Sequence, residues 1–306
     1  MSRIPVIIDT DPGVDDAAAL AAACFCDQLD IRLITTVSGN VSCEKTTANA
    51  LKLLEFFKKD IPVARGCAFP LLRSPFYADD VHGETGLDGY IFPPPSSSPV
   101  PVHAVEAIHH VLLESSEPMT LITLGALTNI AALLTLYPEI KPRVREIITM
   151  GGSFSGGNVT SGAEFNIYAD PHAAQIVLQS GVPILLVGLD VTMKALLEPE
   201  DVEQIQSTGP TGQMLCALFA HYRASCRDGL EMHDSCAVAA LVKPELFTIQ
   251  NVFAEVILDG PGAGTVIGDF RMRFHDHPNA RACMAVNTPA FRQWLVQALR
   301  KADAAE

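Results

Sequence analysis

Positive charge is scarce in this sequence. The 306 residues include 21 Lys and Arg against 35 Asp and Glu, which leaves a formal net charge of −14. Nucleic acids and anionic membrane surfaces attract proteins through clustered Lys and Arg, so this balance argues against both as partners. We therefore expect neither a nucleic-acid partner nor a membrane partner.

Long hydrophobic runs and paired cysteine motifs are also lacking. No apolar run approaches the length of a membrane span, and Ile4–Ile8 is too short for the apolar region of a signal peptide. The eight cysteines are scattered, without the C-x-x-C pairs that are typical of zinc sites. We expect free, mostly buried thiols in a reducing cell, and hence a cytoplasmic protein.

What is present is typical of a globular α/β protein. Hydrophobic residues make up 48% and charged residues 18% of the chain. Predicted strands alternate with helical patterns, and the strands are continuously apolar, which favours a parallel sheet covered on both faces. We predict strands at Ile4–Ile8, Ile31–Val37, Met119–Leu124, Ile147–Met150 and Ile184–Val187, with helices at Ala17–Ala23, Cys43–Lys58, Val102–Glu114, Ala126–Tyr137 and Pro171–Gln179.

The pattern changes after about residue 195. Here we predict helices at Glu198–Ser207, Gly212–Cys226, Asp234–Val242 and Pro289–Ala302, a strand at Ala282–Val286, and a hairpin of Val252–Leu258 and Thr265–Phe274. The predicted fold is a Rossmann-like α/β fold. It has a mostly parallel central sheet flanked by helices and an added antiparallel strand pair late in the chain. Because no linker interrupts the pattern, we expect a single domain over residues 1–306.

Four aspartates lie within eight residues where the first strand passes into the first helix: Asp9, Asp11, Asp15 and Asp16. Any one of them could simply cap the helix, but capping requires one or two carboxylates. Four in one place repel each other unless a cation lies among them, and carboxylate oxygens suit calcium or magnesium. The motif therefore predicts a site for a hard divalent cation.

Other polar residues follow the remaining predicted strands, at the edge where ligands bind in open α/β sheets. They include Asn40, Asn129, the Gly151–Gly152 turn, Asn158, Glu164, Asn166, His233 and Asp234. Each alone has a structural interpretation: Gly-Gly after a strand is usually a turn, and Asp234 could cap the helix that it precedes. Together, amides and carboxylates of this kind are able to hold the vicinal hydroxyls of a ribose.

Six elements in this order resemble the nucleoside hydrolase family over essentially the whole chain. They are the DTDPGVDD segment at residues 9–16, Asn40, the LTN at Leu127–Asn129, the MGG at Met150–Gly152, the AEFN at Ala163–Asn166 and the MHD at Met232–Asp234. Within the family the chain is most similar to the bacterial non-specific ribonucleoside hydrolases, which accept purine and pyrimidine ribosides. The resemblance implies calcium-dependent hydrolysis of the N-glycosidic bond of a ribonucleoside, and a homodimer or homotetramer.

The resemblance also implies roles for individual residues. Asp11 is expected to be the general base, and Asn40 to lie near the attacking water. Asp11, Asp16 and Asp234 are expected to bind calcium together with the backbone carbonyl of Leu124. Asp15, Asn158, Glu164 and Asn166 are expected to bind the ribose hydroxyls, and Asp9 to hold the loop or a metal ligand.

Two histidines are expected at the nucleobase end. His233 would supply a proton or a hydrogen bond, and His82 is either a second imidazole near the leaving group or a histidine that only holds its loop. Base selection is predicted to involve the loop around Tyr77–Asp88 and the region of His221, Tyr222, Arg223 and Arg227, although the latter could equally be an exposed helical face.

Three other interpretations remain open. The enzyme could prefer pyrimidine ribonucleosides. A haloacid-dehalogenase-type phosphotransferase also begins with a strand ending in Asp-x-Asp, but the Pro-Gly turn followed by Asp15 and Asp16 does not suit it, and the AEFN segment would have no role. A non-catalytic nucleoside-binding protein on the same fold would be expected to lack Asp11 or a calcium ligand, and this chain lacks neither.

Overall fold

The computed structural model describes residues 3–224, 226 and 229–304. Its strands are β1 Ile4–Thr10, β2 Leu29–Thr36, β3 Val63–Arg65, β4 Met119–Thr123, β5 Val144–Met150, β6 Ile184–Val187, β7 Leu196–Leu197, β8 Leu230–Glu231, β9 Phe247–Val256, β10 Val266–Asp269 and β11 Ala280–Val286. Its α-helices are α1 Val14–Cys24, α2 Cys43–Phe56, α3 Asp79–His82, α4 Ala104–Glu114, α5 Thr128–Leu136, α6 Phe165–Ala169, α7 Pro171–Leu178, α8 Leu189–Thr192, α9 Pro199–Gln206, α10 Pro210–Tyr222, α11 His233–Val242 and α12 Thr288–Ala304.

A nine-stranded sheet forms the centre of the protein, in the order β10-β9-β11-β6-β5-β4-β1-β2-β3. The strands from β11 to β3 pair in parallel, whereas β9 is antiparallel to both β10 and β11. The predicted α/β fold with a late antiparallel pair is therefore confirmed. A separate antiparallel pair, β7 with β8, was not predicted, because two-residue strands have no detectable periodicity.

The helices cover both faces of the sheet. Helices α1, α10, α11 and α12 contribute to one apolar cluster, in which Leu20 and Phe291 are fully buried. Helices α4, α5 and α7 contribute to a second cluster on the other face, which includes Ile108 and Ile130. Burial on both faces explains why the parallel strands are apolar throughout.

Several predicted strand boundaries differ from the structure, two of them for identifiable reasons. Strand β1 continues to Thr10, two residues beyond the prediction, because Asp9 and Thr10 each form a buried side-chain hydrogen bond there. The last predicted hairpin strand, Thr265–Phe274, ends at Asp269. There the Asp269 carboxylate accepts the N–H groups of Arg271, Arg273 and Phe274, which turns the chain out of the sheet.

The sheet order places a crevice beside β1. The chain passes from β1 to β2 and β3 on one side, whereas β4 pairs with β1 on the other, so the direction of winding reverses between β1 and β4. Ligands of open α/β sheets bind at such a reversal, beyond the carboxyl ends of the strands. Asp11 follows β1 at this edge and Leu124 follows β4. Among the described residues no helix is both long and apolar enough to cross a bilayer.

Candidate active site

Two helix starts bring three aspartates together. Asp15 and Asp16 lie in the first turn of α1, and Asp234 lies in the first turn of α11. One carboxylate oxygen from each lies within 4.8 Å of the others, and all three side chains are buried. The partial positive charge of the two helix N-termini favours carboxylates here, but it cannot neutralise three of them.

The crowding of these carboxylates raises their pKa values. Burial and the charge of Asp16 raise the pKa of Asp15 to about 7. Burial and the charges of Asp15 and Asp16 raise the pKa of Asp234 well above its usual value. Three buried carboxylates with raised pKa values form an all-oxygen ligand set that fits a hard divalent cation, because a bound cation would restore their charged form.

Asp11 lies beside this cluster, held by backbone on both sides. Its Oδ2 accepts the N–H of Asn40 at 2.7 Å. A Cβ atom at Gly39 would lie 1.9 Å from Asp11 Oδ2, and one at Gly125 would lie 2.5 Å from Oδ1, so both glycines are in direct contact with the carboxylate. Burial and the charge of Asp16 raise the pKa of Asp11 well above its usual value, so its carboxylate is a stronger base than an exposed aspartate.

The side chains of Asn40 and Thr10 connect the aspartates. Asn40 donates its Nδ2 hydrogens to the Asp11 carbonyl and to Asp16 Oδ2, each at 3.1 Å. Thr10 donates its hydroxyl to Asp16 Oδ1. Because Asp16 also accepts the Gly13 N–H at 2.8 Å, its orientation toward the cluster is set by three donors.

Asp9 does not line the cavity and is hydrogen-bonded to residues next to the site. Its Oδ1 accepts hydrogen bonds from the Thr35 hydroxyl and from Asn129 Nδ2. Burial raises the pKa of Asp9 to about 7 in spite of these donors. Asn129 also donates to the Thr36 carbonyl, so Asp9 ties β1 to the end of β2 and to α5.

Three of the four predicted ribose-binding residues lie in the segment 158–166 that leads into α6, whereas Asp15 belongs to the aspartate cluster. Glu164 caps α6, accepting the N–H groups of Asn166 and Ile167 as well as that of Gly152. Asn166 Nδ2 donates to the Leu124 carbonyl at 2.6 Å. Asn158 Oδ1 accepts the N–H of Phe165 at 3.0 Å. Each of these side chains therefore has a local structural role, and each also faces the cavity.

A cavity of about 610 Å³ joins these groups. That volume is sufficient for a small polar ligand the size of a nucleoside. Asp15, Asn40, Glu164, Asn166 and Asp234 line its deep end, with Asp11 and Asp16 buried behind them. The exposed aromatic side chains of Phe76 and Tyr77 and the half-buried Phe165 also line it, whereas its other aromatic and imidazole rings are buried: His82, Tyr222 and His233.

His233 is held at both ring nitrogens. Nδ1 lies 2.8 Å from the Thr192 hydroxyl and Nε2 lies 3.3 Å from Glu231 Oε2. Burial opposes protonation of the ring, but the Glu231 hydrogen bond and the charges of Asp15, Glu231 and Glu164 outweigh it and raise the pKa of His233. Because a carboxylate only accepts, the contact with Glu231 places a proton on His233 Nε2.

His82 has the opposite character. Its Nδ1 accepts the N–H of Val14 at 3.2 Å, and its ring stacks on Tyr222 with the centroids 5.5 Å apart. Burial and the neighbouring His233 and His221 lower the pKa of His82 to about 3. A neutral ring that accepts at Nδ1 carries its proton on Nε2, so His82 is able to donate one hydrogen bond but is a weak acid catalyst.

The structure groups most of the predicted site residues and adds some that the sequence did not reveal. The three-aspartate cluster contains Asp16 and Asp234 of the predicted calcium ligands, with Asp15 as its third member. Asp11 lies next to it, and the Leu124 carbonyl accepts from Asn166. The individual roles therefore stay predictions. Of the expected base-selecting residues, Arg227 lies outside the described residues.

Thr10, Thr192 and Glu231 were not anticipated. Thr10 lies inside the aspartate motif, where strand alternation directs it to the face opposite Asp9. Glu231 precedes His233 by two residues, so the sequence alone indicates that a carboxylate lies near this imidazole. Thr192 is 41 residues from His233 in sequence, and nothing in the sequence indicates their contact.

Comparisons with known proteins agree over nearly the whole chain. Residues 6–293 match the family described as inosine-uridine preferring nucleoside hydrolase. The non-specific ribonucleoside hydrolases RihC of Salmonella newport and Salmonella typhi are each 50% identical to this chain over 298 residues, which is 97% of this chain and 97% of theirs.

Solved structures show the same similarity. A purine-preferring ribonucleoside hydrolase from Gardnerella vaginalis superposes with a TM-score of 0.92 at 28% identity, covering 99% of this chain and 100% of that one. The plant nucleoside hydrolase PpNRh1 superposes with a TM-score of 0.91 at 34% identity, covering 97% of this chain and 98% of that one.

Proposed function

Because this chain belongs to the inosine-uridine preferring nucleoside hydrolase family and is a ribonucleoside hydrolase, we propose that it cleaves both purine and pyrimidine ribonucleosides to ribose and free base. The relatives that are half identical to it carry the name of non-specific enzymes. The observation that best supports the chemistry is Asp11, fixed between two glycines beside three buried aspartates at the deep end of a cavity.

The proposed reaction is the displacement of the nucleobase from the anomeric carbon by water. The water oxygen forms a bond to C1′ while the C1′–N bond breaks and its electron pair leaves with the nucleobase. Asp11 takes the proton from the water, and Asn40 keeps the Asp11 carboxylate in place through its backbone N–H. Carboxylates around the sugar favour the positive charge that develops on the ribose ring as the bond breaks.

The ribose is proposed to bind through its hydroxyls to Asp15, Asn158, Glu164 and Asn166, which face the cavity. The departing nucleobase is proposed to meet His233, which Thr192 and Glu231 hold in a fixed orientation. Positioning of this kind contributes to rate because the reacting groups need no further ordering in the transition state.

We also propose that the cation is calcium. Asp11, Asp16 and Asp234 would hold it together with the backbone carbonyl of Leu124, and Asp15 lies in the same cluster. A bound calcium ion supplies orientation of the water and of the sugar hydroxyls. The protein is further proposed to form a homodimer or homotetramer, which size-exclusion chromatography with light scattering would test.

Ribose release from inosine, adenosine, uridine and cytidine tests the proposed activity directly. With calcium present, we expect release from all four. Asp11→Asn keeps the shape of the side chain but removes the proton acceptor, so we expect kcat to fall about 10²–10⁴-fold. Asp27→Asn is the matched control, since Asp27 is 81% exposed and pairs only with Lys301 among the described residues, and we expect it to retain full activity.

The outcomes separate the alternatives. Release from pyrimidine ribonucleosides alone would keep the chemistry and contradict the proposed breadth of substrates. Binding of all four nucleosides without ribose release would indicate a nucleoside-binding protein. Full activity in Asp11→Asn would remove Asp11 from the proton-transfer step.

A further inference from the structure

Glu231 and Asp80 are carboxylates at the cavity that belong neither to the metal cluster nor to the predicted ribose-binding set, and of the two Glu231 contacts His233. Glu231 lies in β8 and lines the cavity with a side chain that is 13% exposed. Its Oε2 contacts His233 Nε2 at 3.3 Å. No element of the proposed hydrolysis uses Glu231 as a direct contact to the substrate.

The backbone around Glu231 is well fixed. Glu231 pairs with Leu196 across the β7–β8 ladder, and Leu196 follows α8, which carries Thr192. Thr192 holds the far side of the His233 ring. Because one short ladder joins the segments that bear Thr192 and Glu231, the imidazole and the Glu231 carboxylate form one unit with a defined orientation.

The neighbours of His233 and Glu231 indicate which part of a bound nucleoside these two side chains would meet. His233 directly precedes Asp234 in α11, so the ring begins next to the aspartate cluster, and Tyr222 and Met193 line the wall around it. A ribose held by Asp15, Glu164 and Asn166 would fill the deep end. The group attached to C1′ would then extend toward His233 and Glu231.

The hydrogen-bonding capacity of Glu231 is only partly used. An ionised carboxylate is an acceptor with two oxygens, and among the described residues only Oε2 has a hydrogen-bond partner. Glu231 Oε1 is not among the fully buried polar atoms that lack a partner, so it is accessible from the cavity that Glu231 lines. Hydrogen bonds to a charged group are the strong ones. The geometry therefore selects for a ligand that presents an N–H group to Glu231 Oε1.

Nucleobases share this feature although they differ in shape. Hypoxanthine carries N1–H and uracil carries N3–H, whereas adenine has an N6 amino group and cytosine has an N4 amino group. All of these N–H groups lie on the Watson–Crick edge of the base. A carboxylate only accepts hydrogen bonds, so a base that turns one of these N–H groups toward Glu231 Oε1 is a suitable donor in each case. One acceptor would thus admit both base classes without selecting between them.

We propose that Glu231 is a nucleobase-recognition residue whose carboxylate, held beside His233 in the cavity, accepts a hydrogen bond from an N–H group on the polar edge of the nucleobase, whichever base class it belongs to. This inference rests on the proposed nucleoside hydrolase activity. It names the chemical feature by which this chain would recognise its substrates.

Methylated nucleosides test the proposal, because they remove one N–H and leave the sugar and the scissile bond unchanged. Ribose release is measured for uridine against 3-methyluridine and for inosine against 1-methylinosine. We expect kcat/KM of the wild-type protein to be at least about tenfold lower for each methylated substrate. In Glu231→Ala we expect the two members of each pair to be cleaved with nearly equal kcat/KM.

Glu231→Gln is the second variant, since its amide oxygen still accepts a hydrogen bond. We expect it to discriminate against the methylated substrates more than Glu231→Ala does and less than the wild type. It also decides the question if Glu231→Ala does not fold, because Gln preserves the volume of the side chain. Thermal unfolding of each variant is measured alongside the kinetics.

Two outcomes would overturn the proposal at different levels. If Glu231→Ala and Glu231→Gln slowed uridine and 3-methyluridine by the same factor, Glu231 would only position His233. If the wild-type protein released no ribose from unmethylated uridine or inosine, the hydrolase proposal itself would fail, and with it the assigned role of Glu231.

Discussion

The position of the Asp11 carboxylate depends on the absence of two side chains. Gly39 and Gly125 leave no space between their Cα atoms and the Asp11 oxygens. Neither glycine has a positive φ angle, so their role is close approach and not backbone freedom. At the scale of single residues, the carboxylate that we propose as the proton acceptor is positioned both by the missing side chains of its two glycine neighbours and by the hydrogen bond from the Asn40 N–H.

Replacing Gly39 by Ala tests this contact. The new methyl group would lie 1.9 Å from Asp11 Oδ2 and must displace the carboxylate. We expect kcat/KM on uridine to fall at least about a hundredfold, with a loss of about 1–3 kcal/mol in the free energy of unfolding. Gly262→Ala is the control, because its methyl group would meet only the flexible end of Ile257 at 3.2 Å. Equal activity in the two variants would show that Asp11 tolerates displacement.

At the scale of elements, the first turn of α1 receives a hydrogen-bond acceptor from another helix. The N–H of Val14 has no acceptor within α1, since it belongs to the first turn. His82, in α3, supplies that acceptor through Nδ1. The short helix α3 and the segment carrying the aspartates are therefore joined by one imidazole, which must be neutral to accept.

Acid should break this connection. The pKa of His82 is about 3 in the folded protein and about 6.5 in the unfolded chain, so the unfolded state binds the proton more readily. This contribution to stability is complete above pH 6.5 and declines as the pH falls toward 3. We expect the wild-type protein to lose about 2 kcal/mol from this group between pH 7 and pH 5.

His82→Asn isolates that contribution. The Asn side-chain oxygen can take the place of Nδ1 as acceptor but does not titrate in this range. Urea unfolding at several pH values should show a smaller acid-induced loss of stability in His82→Asn than in the wild type. His110→Asn, at an exposed position of α4, is the control. Parallel pH profiles of the wild type and His82→Asn would contradict the neutral state of His82.

At the scale of the whole molecule, the site joins distant parts of the chain. Asp15 and Asp16 come from α1, Asp234 from α11 and Asn166 from α6, and α1 packs directly against α11. Burying like charges where these helices meet opposes folding unless a cation compensates. A cation bound only by the folded state therefore stabilises the entire assembly of helices.

Removal of calcium should lower the melting temperature. At a calcium concentration 100-fold above the dissociation constant, linkage predicts about 2.7 kcal/mol of stabilisation and hence a shift of about 5 °C for a chain of this size. Differential scanning calorimetry with calcium and with a chelator measures the shift. Asp234→Asn should abolish the response to calcium. An unchanged melting temperature in chelator would contradict a cation at this cluster.

Much of this site was predictable because its residues lie close together in sequence. The DTDPGVDD segment includes a strand, a turn and a helix start, so local patterns alone bring Asp11, Asp15 and Asp16 to one place. The family resemblance added the roles of Asn40, Glu164, Asn166 and Asp234. It did not indicate that Glu164 also caps α6 or that His82 accepts the Val14 N–H, since both depend on backbone geometry.

The alternating order of elements, the mostly parallel sheet and the family were all accessible from the sequence, because periodicity and motif spacing are local properties of the chain. Which strand neighbours which, and therefore where the crevice lies, depends on the three-dimensional packing of the chain. The same packing also decides the partners of His233, since Thr192 and Glu231 reach it through the short β7–β8 ladder. Contacts of this kind arise from packing between segments far apart in the chain, so local sequence patterns do not predict them.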